Sequence, residues 1–161
     1  IAATNVNDTV PRYLHTQEYT PKTSKPTISN AMDVGDPSNF IRIRNLYNDN
    51  FNELKNAFFS YSFNDEETKS AILEIYNSCN YIADPHGAVG YLGLKAYQKD
   101  NPDTFGVFLE TAHPVKFLDV VEETLKLKLT IPSQIQNILE KKKVSFNIDT
   151  YDELKSYLLS K

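Results

Sequence analysis

The chain has 161 residues, 40% of them hydrophobic and 24% charged, which suffices for one domain with a buried core. Its net charge of −4 excludes nucleic acid as an expected partner, since the only basic run, Lys141 to Lys143, suits a solvated helix end. The sequence has no apolar run of about 20 residues, no signal-peptide pattern and only one cysteine, Cys79, so we expect a cytoplasmic protein without a membrane partner or an intrachain disulfide.

The first residues, 1–4, are predicted to be the end of a buried strand. They are apolar or small and carry no initiator Met, and Asn5 and Asn7 then supply turn chemistry. A natural terminus is usually polar and loose. We therefore interpret the chain as a piece of a longer protein.

The next 60 residues predict short helices separated by a loop. Residues 9–14 suit one or two helical turns, and residues 15–27 form a polar loop with two prolines. Asp36 is predicted to cap a helix with Pro37 at its first position. Residues 50–63 are ambiguous, because they combine a helical pattern with a strand-like alternation from Phe59 to Phe63.

The middle of the chain alternates helix and strand. Asn64 begins a helix through a capping box, and Cys79 is expected to lie on its buried face. Residues 81–83 predict a short strand, and residues 86–98 a second helix. That helix carries glycines three residues apart, which predicts close approach of another backbone or of a ligand: Gly87, Gly90 and Gly93.

Residues 104–110 form the best strand pattern in the chain. Helices are then predicted after Pro114, after Pro132 and at the capping box that begins at Thr150. This order of elements predicts an α/β fold with a partial, largely parallel sheet flanked by helices. We assign residues 1–125 to the α/β domain and residues 126–161 to an α-helical C-terminal extension.

Polar residues follow three of the predicted strands, at Thr4-Asn5, at Asp84-Pro85-His86 and at Glu110-Thr111-Ala112-His113. If the strands are parallel neighbours, these tips share one crevice, where α/β proteins commonly bind ligands. The histidines form no cluster with metal-ligand spacing, so no metal site is predicted. The sequence also lacks a Gly-rich phosphate loop and a Gly-x-Ser-x-Gly motif. The residues alone therefore indicate a ligand-binding α/β lobe without naming the ligand.

Four segments carry a resemblance to a known family. They are ATNVNDTVPRYL at 3–14, TISNAMDVGDPSNF at 27–40, ADPHGAVGYLGL at 83–94 and LETAHPVKF at 109–117. In this order they resemble the C-terminal part of threonine synthase, in its longer bacterial and fungal type. The resemblance extends over roughly residues 1–125 and departs at Gly87, where the family often has Thr.

The resemblance implies a pyridoxal-phosphate enzyme of fold type II, like the β subunit of tryptophan synthase. Such an enzyme converts O-phospho-L-homoserine and water into L-threonine and phosphate, in threonine biosynthesis. The Schiff-base lysine and the loop that holds the cofactor phosphate belong to the family's earlier sequence. We therefore expect no catalytic residue here, the N-terminal remainder of the chain as partner, and an inactive isolated piece that can self-associate.

The resemblance also implies roles for individual residues. Thr111 matches the hydroxyl that meets the pyridine nitrogen in this fold type, whereas the residues alone also allow a helix cap near Pro114. Further candidates for the cofactor are Asn5, Asp84, His86 and Ala112. Candidates for the substrate are Ser29, Asn30, Asp33, Ser38, Asn39 and Arg42.

Simpler interpretations stay open for several of these candidates. Asn5 can merely form its turn, and His86 can merely bond to backbone at a helix start. Arg42 is a candidate for the substrate phosphate or a surface residue of a capped helix. The chain as a whole can also belong to a related phospho-lyase that acts on another phosphorylated amino acid, or be a non-enzymatic binding or assembly module.

Overall fold

The computed structural model describes residues 1–139 and 141–161, which fall into two compact units, Ile1–Leu129 and Thr130–Lys161. The assignment of residues 1–125 to the α/β domain and of residues 126–161 to a helical C-terminal extension stays a prediction. Among the described residues, no helix combines the length and the apolar character that a membrane span requires.

The first unit is built around a small parallel sheet. β1 (Ala2–Thr4) pairs with β2 (Ser60–Ser62), so that Ala3 lies opposite Tyr61. Within residues 1–129 the helices are α1 (Thr9–Thr16), α2 (Phe40–Leu46), α3 (Phe51–Ala57), α4 (Asp65–Cys79), α5 (Pro85–Asp100) and α6 (Leu118–Leu125). A parallel pair of strands needs a long crossover, and the three helices α1, α2 and α3 supply it here. The α/β fold class is as predicted.

The first core cluster lies between α4, α5 and α6. Ile72, Ala88 and Val121 are fully buried there, and Phe117 closes the cluster from a 3-10 turn, Pro114–Phe117. Burying a side chain the size of Val121, Ile72 or Phe117 contributes roughly 1.5–3 kcal/mol. This cluster fixes α5 against the rest of the unit.

The second core cluster is aromatic and covers the crossover helices. Tyr13 of α1 packs edge-on against Phe40 and Phe51, with ring centroids 5.4 and 5.5 Å apart. Leu54 of α3 is buried in the same cluster. The crossover therefore has its own hydrophobic support.

Helix α5 approaches the sheet closely at Gly93. A Cβ atom at that position would lie 2.6 Å from the Cβ of Ala3, well inside van der Waals contact. The glycine is therefore required for the packing of α5 on β1, in agreement with the close approach expected from the sequence.

The two predicted capping boxes are present. The side chain of Asn64 accepts from the backbone N–H of Glu67, and the Glu67 carboxylate accepts from the N–H of Asn64. Thr150 and Glu153 make the same pair of bonds at the start of the helix Tyr151–Leu159. Both helix starts could be predicted because the bonds are local in sequence.

The prediction for Asp36 and Pro37 was wrong. Helix α2 begins at Phe40, and Asn39, the residue before it, makes no capping bond with its side chain. The carboxylate of Asp36 instead accepts a hydrogen bond of 2.8 Å from the Tyr19 hydroxyl. A tertiary partner thus takes the oxygen that the cap would have needed.

The two later strand predictions were also wrong. Neither 81–83 nor 104–110 pairs with another strand within the described residues. Segment 104–110 keeps the alternation of a strand, since Phe105 is 96% exposed and Val107 and Leu109 are each 77% exposed. Phe108, on the opposite side, packs against Tyr91 of α5. Strand structure needs a hydrogen-bonded neighbour, and the sequence pattern reports only the burial of alternate side chains.

The expectation that Cys79 is buried was wrong as well. It is exposed, because α4 ends there and Asn80 turns the chain in the left-handed conformation. The helical spacing that predicted Cys79 to face the core holds only for the earlier turns of α4.

The second unit carries α7 (Ser133–Leu139) and α8 (Tyr151–Leu159). Phe146 packs against Tyr157 with ring centroids 5.8 Å apart. Helical structure in this part of the chain agrees with the prediction from the sequence.

Candidate functional site

The three polar tips meet at one cavity of about 560 Å³. Thr4, Asn5, His86 and Thr111 all line it, and they come from β1, from the start of α5 and from the segment that follows residue 110. The apolar side of the lining includes Val10, Val89, Leu94, Val107, Phe108 and Leu109. The cavity thus combines a largely apolar wall with a few polar groups, as ligand sites usually do.

Asn5 is buried in a network of hydrogen bonds at one side of the cavity. Its Oδ1 accepts from the backbone N–H and the side-chain amide of Asn7, both at 2.9 Å. Its Nδ2 lies 3.0 Å from the hydroxyl oxygens of Thr27 and Ser29 and 2.9 Å from Asp33 Oδ1. Every polar atom of the Asn5 side chain is therefore bonded, and its first role is to hold the loop 27–33 against β1.

Asp33 completes this network. Its Oδ1 accepts from the Thr27 hydroxyl at 2.7 Å, and its Oδ2 accepts from the Thr27 backbone N–H at 3.0 Å. Ser29 lines the cavity and is only 2% exposed. Of the predicted substrate residues, Ser29 therefore has a place at the cavity, while Asp33 shapes the loop behind it.

The second polar cluster joins Asp84, His86 and Glu110. The Oδ1 atom of Asp84 accepts from the backbone N–H of His86 and lies 2.8 Å from His86 Nδ1. Glu110 Oε1 accepts from the backbone N–H of Asp84 at 2.9 Å. Asp84 is fully buried, so it caps α5 and holds the imidazole from inside the protein.

This cluster is left incompletely bonded. Among the described residues, three of its buried atoms have no hydrogen-bond partner: Asp84 Oδ2, His86 Nε2 and Glu110 Oε2. Burial is the largest cause that raises the pKa of Glu110, to about 7. The hydrogen bond from the Asp84 N–H lowers this pKa, whereas the Asp84 carboxylate raises it. A proton on Glu110 near neutral pH removes one of two buried negative charges.

Thr111 lies at the cavity with its hydroxyl free of the predicted capping role. The cap of the 3-10 turn is His113, whose Nδ1 accepts from the Val115 N–H at 3.1 Å. No hydrogen bond in the described part of the chain uses the Thr111 hydroxyl, and Thr111 is exposed. The hydroxyl is thus available to a bound group.

The remaining predicted residues lie elsewhere. Ala112 packs against the first core cluster. Asn30, Ser38, Asn39 and Arg42 are exposed, and none is among the residues that line the cavity. Arg42 lies on a seven-residue helix that starts two positions before it. Its role toward a phosphate stays a prediction, as do the roles of the other three.

No group of three or more His, Cys, Asp or Glu side chains converges in residues 1–139 and 141–161 in a way that could hold a metal ion.

Glu110 was not predicted from the sequence to be a site residue, although it is the last residue of the best strand pattern. The sequence feature that could have identified it is a carboxylate at the end of an apolar run, which the predicted crevice would bring near Asp84 at the start of a helix.

Comparison with known proteins gives one consistent result. A family model described as threonine synthase, C-terminal, matches residues 87–157. The threonine synthase of Buchnera aphidicola subsp. Acyrthosiphon pisum is 41% identical over 162 aligned residues, which take in all of this chain and 37% of that protein. The chain therefore spans a little over a third of the length of this curated relative.

Solved structures agree. The crystal structure of threonine synthase from Escherichia coli matches 99% of this chain with a TM-score of 0.84 and 36% identity, over 36% of its own length. The structure of PLP-bound threonine synthase from Brucella melitensis matches 97% of the chain with a TM-score of 0.70, over 39% of its own length. At 23% identity the latter likeness concerns the fold.

Proposed function

The chain corresponds to the C-terminal part of the threonine synthase family, and from that premise we propose that it supplies one side of the active site of such an enzyme. The whole protein would convert O-phospho-L-homoserine and water into L-threonine and phosphate, with pyridoxal phosphate as cofactor. The observation that carries the proposal is the meeting of three polar tips at one cavity, in a chain similar over its full length to threonine synthases.

The residues at the cavity fit a pyridoxal ring. Val89, Leu94 and Phe108 offer apolar surface to a flat aromatic group, and the exposed Thr111 offers a hydroxyl that no other described group uses. When bound, the cofactor supplies an electron sink for negative charge that develops on the substrate. A relative, the threonine synthase of Brucella melitensis, is described as PLP bound.

Thr111 would set the electronic state of the ring. A neutral hydroxyl hydrogen-bonds to the pyridine nitrogen without giving it a full proton, which tempers the ring as an electron sink. A carboxylate there would instead favour the protonated ring. This residue is therefore the one through which the chain selects among the reactions open to the cofactor.

Other residues would fix the shape of the site and exclude water from it. The bonded network around Asn5 fixes the loop 27–33, and Ser29 from that loop lies at the cavity. Val89 and Phe108 exclude water from one side of it, which strengthens each polar interaction inside. The predicted contacts of Ser38, Asn39 and Arg42 with substrate phosphate stay part of this proposal, untested by their positions.

The rest of the site would come from outside these 161 residues. The lysine that holds the cofactor and the loop that binds its phosphate match nothing in this sequence. The exposed row Phe105, Val107 and Leu109 supports a partner, because such an apolar row is unusual on a free surface, and two of its members line the cavity. We take the partner to be the N-terminal remainder of the protein, and the isolated chain to be inactive.

The test uses the full-length protein that carries this chain, supplied with pyridoxal phosphate. We expect it to release threonine and phosphate in equal amounts from O-phospho-L-homoserine. Turnover of a different phosphorylated amino acid alone would indicate the related phospho-lyase. If the protein showed neither turnover nor the absorbance of bound cofactor, the result would favour a non-enzymatic binding or assembly module.

A companion measurement concerns residues 1–161 alone. Mixed with pyridoxal phosphate and reduced with borohydride, they should gain no stoichiometric, site-specific adduct. Such an adduct at one lysine of this chain would contradict the expectation that the cofactor's lysine lies elsewhere.

A further inference from the structure

Gly87 and Glu110 occupy one shared space. A Cβ atom added to Gly87 would lie 1.3 Å from Glu110 Oε2 and 2.2 Å from Glu110 Cδ. The carboxyl group of Glu110 thus fills the volume that any other residue at position 87 would need for its side chain. The two residues are 23 positions apart in sequence and belong to different segments, so this fit is a property of the fold.

Through this position the carboxyl group reaches the start of α5. Its Oε1 accepts from the Asp84 N–H at 2.9 Å, which ties the Glu110 side chain to the residue that caps α5. Asp84 Oδ1 in turn holds both the backbone N–H and the ring Nδ1 of His86. The chain of contacts ends at the cavity, because His86 is one of its lining residues.

We propose that Glu110 is a positioning residue of the active site, which sits in the space left by Gly87 and holds Asp84, and through Asp84 the ring of His86, at the cavity wall. Nothing in the family resemblance assigns this role to Glu110. The catalytic part of the proposal rests on the proposed function, whereas the fit between residues 87 and 110 does not.

The unpaired oxygens support this role. Glu110 Oε2 and Asp84 Oδ2 are both buried without a partner among the described residues, so a proton on one of the two carboxyl groups would lower the cost of burying them. The titratable groups that act on Glu110 or are acted on by it are Asp84 and Tyr81, and His86 contacts Asp84. Burial raises the pKa of Tyr81, and the charges of Glu110 and Asp84 raise it further. No ion pair in residues 1–139 and 141–161 brings a lysine or arginine to this carboxyl group.

The fit can be tested by exchange of the two side chains in the full-length holoenzyme. Gly87→Ala should lower kcat and, to a smaller extent, the melting temperature, because its methyl group displaces the Glu110 carboxyl group from its contact with Asp84. Adding Glu110→Gly to that variant should restore part of both, although Glu110→Gly alone loses the contacts to Asp84. A double variant no more stable than Gly87→Ala would overturn the fit.

The role of the carboxyl group can be tested without a change of size. Glu110→Gln keeps an acceptor for the Asp84 N–H and a donor for the Asp84 carboxylate, so it should retain kcat and a normal melting temperature. Glu110→Ala should lower kcat by about 10-fold with a smaller change in KM, as for other groups that orient a residue of the site. If Glu110→Gln is as impaired as Glu110→Ala, or if neither is impaired, the positioning role is excluded.

A spectroscopic readout separates positioning from general stability. In protein labelled with ¹⁵N histidine, the ring N–H of His86 that faces Asp84 should exchange slowly in the wild type and in Glu110→Gln, and should be lost in Glu110→Ala; His86→Asn assigns the signal. Equal exchange in all three would overturn the proposal. An inactive wild type with this expected pattern would instead contradict the proposed function and leave the role of Glu110 at the cavity wall intact.

Discussion

Two polar clusters face the same cavity and differ in how fully they are bonded. Around Asn5 every side-chain polar atom has a partner, and the partners tie two segments together. Around Asp84 and Glu110 three buried atoms have none within the described residues. A fully bonded cluster stabilises one shape, whereas an incompletely bonded one retains protons or sites for a further group. The cluster around Asn5 therefore supports the fold, whereas the cluster of Asp84, His86 and Glu110 is where we expect activity and stability to depend on pH.

The largest expected effect comes from breaking the bonded cluster. Asn5→Ala removes five contacts of 2.9–3.0 Å and leaves buried partners unsatisfied, so it should destabilise the protein by about 2–4 kcal/mol. Urea unfolding measures this loss. Asn30→Ala, an exposed asparagine of the same loop region, serves as the control and should change stability by less than about 0.5 kcal/mol. Equal effects would remove the distinction between the clusters.

The next largest effect is expected on the activity of variants at Thr111, a residue that belongs to neither cluster. Thr111→Val should lower kcat by about 10-fold, or about 1.4 kcal/mol, and shift the absorbance of the bound cofactor while sparing the fold. Thr111→Ser keeps the hydroxyl and should stay close to the wild type in both measurements. Unchanged kinetics in Thr111→Val would return this residue to a surface role.

A smaller effect should appear in the dependence of stability on pH. The folded pKa of Glu110 is raised from 4.5 to about 7, so its protonated form is favoured by folding. That contribution is fully present below pH 4.5 and is lost as the pH rises through about 7. Between these values the wild type should lose on the order of 1 kcal/mol relative to Glu110→Gln, after allowance for partial exposure. If the two proteins show the same dependence of unfolding free energy on pH, the pKa of Glu110 is not raised by folding.

The smallest effect is expected at Gly90, one turn along α5 from Gly87. A Cβ atom at Gly90 would lie 3.7 Å from Phe108 and 4.0 Å from the Leu109 carbonyl oxygen, and both are ordinary van der Waals contacts. Gly90→Ala should therefore change stability by less than about 1 kcal/mol and can stabilise the helix, in contrast to Gly87→Ala. A large loss in thermal unfolding would mean that the whole glycine stripe, and not the Glu110 carboxyl group, limits the size of residues on this face.

The sequence predicted the features that depend on local chemistry. Both capping boxes, at Asn64 and Thr150, involve residues three positions apart, and both are present. Of the three glycines for which close approach of a backbone or ligand was predicted, Gly93 lies close to Ala3 of β1, Gly87 lies close to a side chain, and Gly90 has ordinary contacts only. The three tips were predicted to meet because each was taken as a strand end, and they do line one cavity, although only the first of them follows a strand.

What the sequence could not predict depends on partners distant in the chain. Segment 104–110 has the alternation of a strand, but a ladder needs a neighbour that the pattern does not reveal. Asp36 has the composition of a cap, yet Tyr19 takes its carboxylate. The environment of Glu110 depends on Gly87 and Asp84, and only the folded chain brings these residues to it.

The shared space of Gly87 and Glu110 has a consequence for how homologous chains diverge. A substitution that adds a side chain at position 87 should favour a shorter side chain at position 110, and a return to glycine should again leave room for an acid there. The two sites should thus change together among homologues, in opposite directions of volume, although they are far apart in sequence.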